Sequence, residues 1–109
     1  MKIALDYDGT FTEDPQLWLW FIDKCQLRGH EIFVVTFRGD DTPIDHRLPV
    51  HVYYTAARPK RQYMKNLGIK VDVWIDDCPE LIVLDDPWSP QERERWKQDY
   101  WEQQKLKSA

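Results

Sequence analysis

With 109 residues and a net charge of −4, the chain has room for one domain with a real core, and it lacks the basic surplus of a protein that grips nucleic acid through a broad charged surface. Cys25 and Cys78 are too few and too scattered to outline a disulfide framework or a thiolate metal site, so a reduced, cytoplasmic setting is expected. No stretch reaches the roughly 18 apolar residues of a membrane span, and the N-terminus has neither the basic nor the apolar region of a secretory signal, which predicts a protein without a membrane partner.

Lys2 to Asp6 reads as the first strand, because Ile3, Ala4 and Leu5 form the short apolar run of a strand covered on both faces. It ends in Asp6-Tyr7-Asp8-Gly9-Thr10. Asp14 as N-cap and Pro15 at the first helical position then open a helix whose stripe of Leu17, Trp18, Phe21, Ile22 and Cys25 should pack on the core, ending near Gly29. Glu31 to Phe37 is a second buried strand with Thr36 and Arg38 at its carboxyl end. Gly39 to Pro49 is polar and carries Pro43 and Pro49, so a loop is expected there. Its Asp40, Asp41 and His46 either contribute to ligand choice or merely connect. Val50 to Tyr54 resumes strand character.

Pro59 can open a helix through Tyr63 and Leu67 that Gly68 closes, which puts Lys60 and Arg61 in its first turn. Val71 to Ile75 is the next strand, delivering Asp76-Asp77 ahead of Cys78 and Pro79. Leu81 to Leu84 reads as a short turn running into a final strand, with a helical turn from Pro79-Glu80 as the alternative. After Asp85-Asp86-Pro87-Trp88, the residues Ser89, Pro90 and Glu92 match a capping box, predicting a helix from about residue 90 to about residue 105. Six Trp, five Tyr and four Phe are a heavy aromatic load, and Trp96 and Tyr100, four apart with Trp101 beside them, give this helix an aromatic face. The organisation expected is a core at 1–86 and a C-terminal aromatic helix at 87–109, packed on the core or used for association.

Strands alternating with crossovers place their carboxyl ends on one edge of a parallel sheet, so Asp6/Asp8, Thr36, Lys60 and Asp76/Asp77 should converge. Singly, each has a structural explanation: Asp-Gly and Asp-Asp as turn formers, Thr36 as a strand residue, Lys60 as a solvated helix charge. Together and in this order they resemble the four motifs of the haloacid dehalogenase (HAD)-like superfamily of phosphotransferases. The resemblance spans residues 2 to about 84. It implies an α/β fold, a three-layer Rossmann-like, doubly wound and mostly parallel sheet of about five strands. No cap domain is expected, since only Phe11 to Asp14 separate the first motif from the first helix and about twenty residues lie between Thr36 and Lys60.

The resemblance further implies a magnesium-dependent phosphatase, a phosphoester hydrolase working through an aspartyl-phosphate. A dianionic phosphate monoester resists an anionic nucleophile unless a divalent cation and fixed donors neutralise its oxygens. Asp6 takes the nucleophile position, and Asp8 that of the acid that protonates the leaving oxygen and then activates water. The Mg²⁺ ligands implied are Asp6, the backbone carbonyl of Asp8 and Asp77; Asp76 orients water or Lys60, and the two acids of the last motif can exchange roles. Thr36 and Lys60 serve the phosphoryl group, with Lys65 a rival that falls too late in its helix. Gly9 and Thr10 count with the substrate-binding groups, and Arg38 and Arg58 are either phosphate ligands or surface charges.

An uncapped site suits an accessible or bulky phosphorylated substrate, such as a nucleotide, a nucleic-acid end or a phosphoprotein, unless another subunit or the tail supplies a cover. A response-regulator receiver is a rival on chemistry but fails on order, because Tyr53-Tyr54-Thr55-Ala56 offers no acceptor Asp after the third strand. The alternative of a different class is a non-catalytic binding module on the same scaffold, acting through Trp88, Trp96, Tyr100 and Trp101.

Overall fold

The apolar runs at residues 3–5 and 32–35 are too short for helices and too uniformly apolar to have a wet face, and both become central strands. The computed structural model describes residues 1–82 and 90–108, leaving aside the side chains of Leu81, Pro90, Glu92, Arg93, Trp96, Lys107 and Ser108. In chain order it contains β1 (Lys2–Leu5), a 3-10 turn (Phe11–Glu13), α1 (Pro15–Leu27), β2 (Glu31–Thr36), β3 (Val52–Tyr54), α2 (Lys60–Asn66), β4 (Val73–Ile75), a second 3-10 turn (Pro79–Leu81) and α3 (Pro90–Ser108). The architecture is α/β and Rossmann-like: one four-stranded, all-parallel sheet in the order β3-β2-β1-β4.

Alternation along the strands sorts the core into two layers. Ile3 and Leu5 of β1 and Ile32 and Val34 of β2 pack with Ile22 and Cys25 of α1, joined by half-buried Trp18 and Phe21. On the opposite face Ala4, Phe33 and Val35 meet Met64 of α2, with Tyr53, Tyr63 and Trp74 around them. Each large apolar side chain taken fully out of water contributes about 1.5–3 kcal/mol, so Leu5 and Val34, both 0% exposed, anchor the α1 layer. The crossover from β2 to β3 is a loop, as its prolines predict, and Ile44, Leu48 and Val50 seat it on the α1 face.

Several boundaries differ from the sequence reading. Leu17 is 48% exposed and shares the outer side of α1 with Trp20 and Leu27; the stripe that reaches the core is 18, 21, 22 and 25, which the 3.6-residue period sets about 100° away from Leu17. Strand β3 begins at Val52, two residues late, after Pro49, which has no N–H for a ladder. Strand β4 begins at Val73, because Asp72 turns its carboxylate back onto the Lys2 amide at 2.8 Å. Leu81 belongs to a 3-10 turn closed by Ile82 N donating to Pro79 O at 2.9 Å, so it opens no strand. The remainder of that expected strand, the Asp85–Trp88 stretch, Ser89 of the capping box and the Trp96 side chain lie outside the described residues. Helix α3 is present and runs to Ser108.

Tyr100 secures α3 to the carboxyl end of the sheet. It is buried against Phe37 and Ala57, its ring 6.0 Å from that of Phe37, with Trp101 and Cys78 alongside. Among the described residues, no helix is long and apolar enough to cross a membrane.

Candidate functional site

The chain leaves β1 towards β2 and β3 on one side, then returns to add β4 on the other, so the winding reverses at β1. Ligands of open parallel sheets gather at the carboxyl ends beside such a reversal. Asp6, the first residue beyond β1, extends the ladder by donating its N–H to Ile75 O at 2.9 Å, and this draws Asp76 and Asp77 to its side. Asp6, Asp76 and Asp77 each present a carboxylate oxygen within 4.8 Å of the others, a group that could hold a metal ion.

Lys60, at the first turn of α2, reaches into this cluster and is 1% exposed. Its Nζ donates to Asp6 Oδ1 at 2.7 Å and to Asp76 Oδ2 at 2.5 Å. A buried ammonium is costly unless its charge is matched, and two carboxylates on one ammonium match it with an anion to spare. Burial works against the Lys60 charge, but Asp6 and Asp76 outweigh it and hold the group above the ordinary lysine range. Burial, with Asp76 and Asp77 adding to it and Lys60 opposing, pushes Asp6 up to about 8. Burial likewise raises Asp76, against the pull of Lys60. The cluster is therefore short of positive charge, and a cation among these oxygens would relieve it.

Two residues of the first motif fix the far side of the cluster. Thr10 Oγ1 donates to Asp6 Oδ2 at 3.1 Å, lies 3.3 Å from Asp77 Oδ1 and accepts from the Asp77 N–H at 3.2 Å. Its hydroxyl thus ties the end of β1 to the end of β4. Gly9, at φ +85°, passes so close to Asp77 that a Cβ there would stand 2.3 Å from Oδ2. Only glycine fits such a position, both for the left-handed backbone and for the space.

Asp8 faces a different neighbour. Arg38 donates Nε to Asp8 Oδ2 at 2.9 Å and Nη2 to Asp8 Oδ1 at 2.8 Å, and its Nη1 donates to Pro43 O at 2.8 Å. The hydrogen bonds to Asp8 hold the guanidinium above its ordinary range, although burial opposes them. The head group lies 5.2 Å from the Tyr7 ring centroid and 5.0 Å from that of Trp101. Tyr100 Oη donates to the backbone carbonyl of Asp8 at 3.4 Å. Burial, with the surrounding Asp6 and Asp8 carboxylates, raises the Tyr100 phenol, so it stays a donor.

The link from β3 to α2 is stitched to the end of β2. Thr55 N donates to Thr36 O at 2.9 Å, Ala56 N to Arg38 O at 3.1 Å and Ala57 N to Phe37 O at 2.9 Å. Ala56 and Ala57 sit at φ +53° and +65°, a left-handed pair that costs an L-residue roughly 1–2 kcal/mol per position. Those bonds hold the turn that aims Lys60 inward.

Of the residues singled out from the sequence, Asp6, Thr10, Lys60, Asp76 and Asp77 form one hydrogen-bonded cluster, with Gly9 against it and Asp8 and Arg38 paired beside it. Thr36 is buried at the end of β2, its Oγ1 accepting from Arg38 N at 3.3 Å. Arg58 and Lys65 are both exposed. Thr55 and Tyr100 are additions. Thr55 is fully buried with an unpartnered hydroxyl, and its address just after β3 repeats that of Asp6 after β1, a signal the sequence did offer. Tyr100 stood out only as an aromatic, with nothing to say where it lands. Comparison with protein families, characterised proteins and solved structures finds no match to this chain.

Proposed function

We propose that this protein is a magnesium-dependent phosphomonoester hydrolase of the HAD-like type, using Asp6 as a nucleophile. One observation carries the reading: Lys60 is buried between Asp6 and Asp76 while Asp77 closes the same group from the other side. A merely structural ion pair would need one acid, whereas phosphoryl transfer needs a carboxylate, a fixed cation and further oxygens for a metal at one point. The donors are hard oxygens, which suits magnesium. The nearby Cys78 thiol, pushed up to about 12 by burial and by Glu80, donates to Glu80 Oε1 at 2.8 Å and so brings no thiolate to the site. Both cysteines are free, in keeping with a cytoplasmic setting.

In this reading Asp6, Asp77 and the Asp8 carbonyl would hold the ion, with Asp76 able to exchange with Asp77, and the charge it would supply is that needed to neutralise phosphoryl oxygens. An Asp6 oxygen attacks phosphorus, the bond to the alcohol oxygen breaks, and Asp8 gives that oxygen a proton. Water then attacks phosphorus and passes its proton to Asp8, the bond to Asp6 breaks, and inorganic phosphate leaves. Lys60 and Thr36 serve the phosphoryl oxygens. Arg38 must let go of Asp8 for the first step, and phosphate offers its fork the same pair of oxygens that Asp8 does.

The described aromatics of α3 support this over a separate binding module, since Tyr100 and Trp101 face the site and not away from it. The test is hydrolysis of a chromogenic aryl phosphate by the purified chain, with and without magnesium, beside Asp6→Asn. Magnesium-dependent turnover abolished by that substitution is expected. No turnover of any ester in a panel of nucleotides, sugar phosphates, phosphopeptides and phosphorylated nucleic-acid ends would overturn the reading.

A further inference from the structure

The tail supplies the cover that the short insertions leave wanting. A cavity of about 650 Å³ lies where the β1–α1 turn, the 37–51 loop and α3 come together. Asp8 and Arg38 line its end at the site, Trp101 lines it from α3, and Glu13, Asp45 and Lys105 complete its charged lining. We propose that this cavity is the leaving-group pocket, and that it selects esters of small, uncharged, polyhydroxylated alcohols between a sugar and a nucleoside in size. The proposal rests on the phosphatase reading and names its substrate class.

Position comes first. With phosphorus at Asp6, the departing oxygen lies on the side of Asp8, and the space that Asp8 borders is this cavity. Size follows: the volume falls within the roughly 300–1,000 Å³ of small-molecule sites, and α3 closes over what would otherwise be an open edge. The bulky substrate expected of an uncapped site has to pass that helix.

Charge and chemistry narrow the class. With Arg38 turned to the phosphoryl group and Asp8 carrying the proton for the leaving oxygen, the pocket's remaining charges are Glu13 and Asp45 against Lys105, a surplus of one negative charge. A second phosphate on the leaving group meets repulsion there. Exposed carboxylates accept hydrogen bonds from hydroxyl groups, and the Trp101 indole adds an apolar wall for a ring. Its Nε1–H is buried without a partner, a donor awaiting an acceptor.

The full chain, with magnesium, is assayed on hexose and nucleoside monophosphates, on a hexose bisphosphate, on a 5′-phosphorylated oligonucleotide and on a phosphopeptide. The expected result is a kcat/KM at least about tenfold higher on the first two, with the ratio between them telling sugar from nucleoside. Trp101→Ala should raise KM on the preferred ester about tenfold, and the surface changes Glu13→Gln with Asp45→Asn should narrow the bias against the bisphosphate. Equal efficiency on the oligonucleotide or phosphopeptide, or a preferred ester indifferent to both variants, overturns the pocket and leaves the phosphatase standing. Titration of Asp6→Asn with the free sugar or nucleoside, followed by calorimetry, separates the two claims. Saturable binding that Trp101→Ala abolishes supports the pocket even if no ester is hydrolysed, and absence of binding of either alcohol counts against it.

Discussion

Arg38 and Asp8 meet in two parallel hydrogen bonds of 2.9 and 2.8 Å, linking the end of β2 to the first motif across thirty positions of sequence. In the phosphatase reading this guanidinium would exchange Asp8 for phosphoryl oxygens when substrate binds, joining the Lys60 ammonium that lies 2.7 Å from Asp6 Oδ1. Arg38→Lys keeps the charge and loses the fork. It should lower kcat/KM on an aryl phosphate about tenfold, and Arg38→Ala about a hundredfold, in proportion to the roughly 1.5–3 kcal/mol of a charged hydrogen bond. Steady-state kinetics decide this, and a change under twofold for Arg38→Ala would remove Arg38 from the phosphate site.

Gly9→Ala puts a methyl group 2.3 Å from Asp77 Oδ2 at a backbone of φ +85°. The backbone cost is about 1–2 kcal/mol, and the carboxylate has to move away. Magnesium affinity should fall about 10–100-fold, the range seen when a metal ligand loses its placement. Calorimetric titration and urea unfolding measure the two effects separately; unchanged affinity would take Asp77 out of the metal site.

Lys60→Met removes the one ammonium shared by Asp6 and Asp76 and leaves two buried acids facing one another. Breaking a buried pair from one side costs about 3–5 kcal/mol, so urea unfolding without magnesium should show a loss of that order. Asp6→Asn in the same background removes one of the two facing acids and should restore part of it. If the double variant is no more stable than Lys60→Met, Lys60 is not balancing Asp6.

The layers of this fold were legible because the strands are apolar on both faces and the helices carry capping signals at Asp14-Pro15 and Pro59. The convergence of Asp6, Lys60 and Asp76-Asp77 followed from topology, since parallel crossovers leave all carboxyl ends on one edge. Three things were out of reach. The Arg38–Asp8 pair depends on a rotamer that no spacing encodes. Thr10 resembled a substrate ligand, but its bonds to both acids exist only once β4 lies beside β1. Tyr100 was visible as part of an aromatic face, yet its seat on Phe37 and the Asp8 carbonyl is a docking geometry. Leu17 shows the opposite limit, an apolar residue at the margin of a helical stripe that finds no partner layer.

Proton and metal should compete at Asp6. Its carboxyl rises from the ordinary 3.8 to about 8 in the folded, metal-free chain, so between those values the folded form keeps a proton that the unfolded form gives up. Proton binding then favours the folded state most strongly at the acid end of the window, and this contribution fades as pH rises through about 8. Magnesium needs the ionised carboxylate, so its binding should expel about one proton and strengthen roughly tenfold per pH unit over the same window. Thermal unfolding should therefore show a small rise in Tm on adding magnesium near the acid end and a larger one near pH 8. Asp6→Asn should flatten the difference. A magnesium affinity independent of pH across this range would mean that the ion does not displace the Asp6 proton, and Asp6 would no longer stand as a ligand.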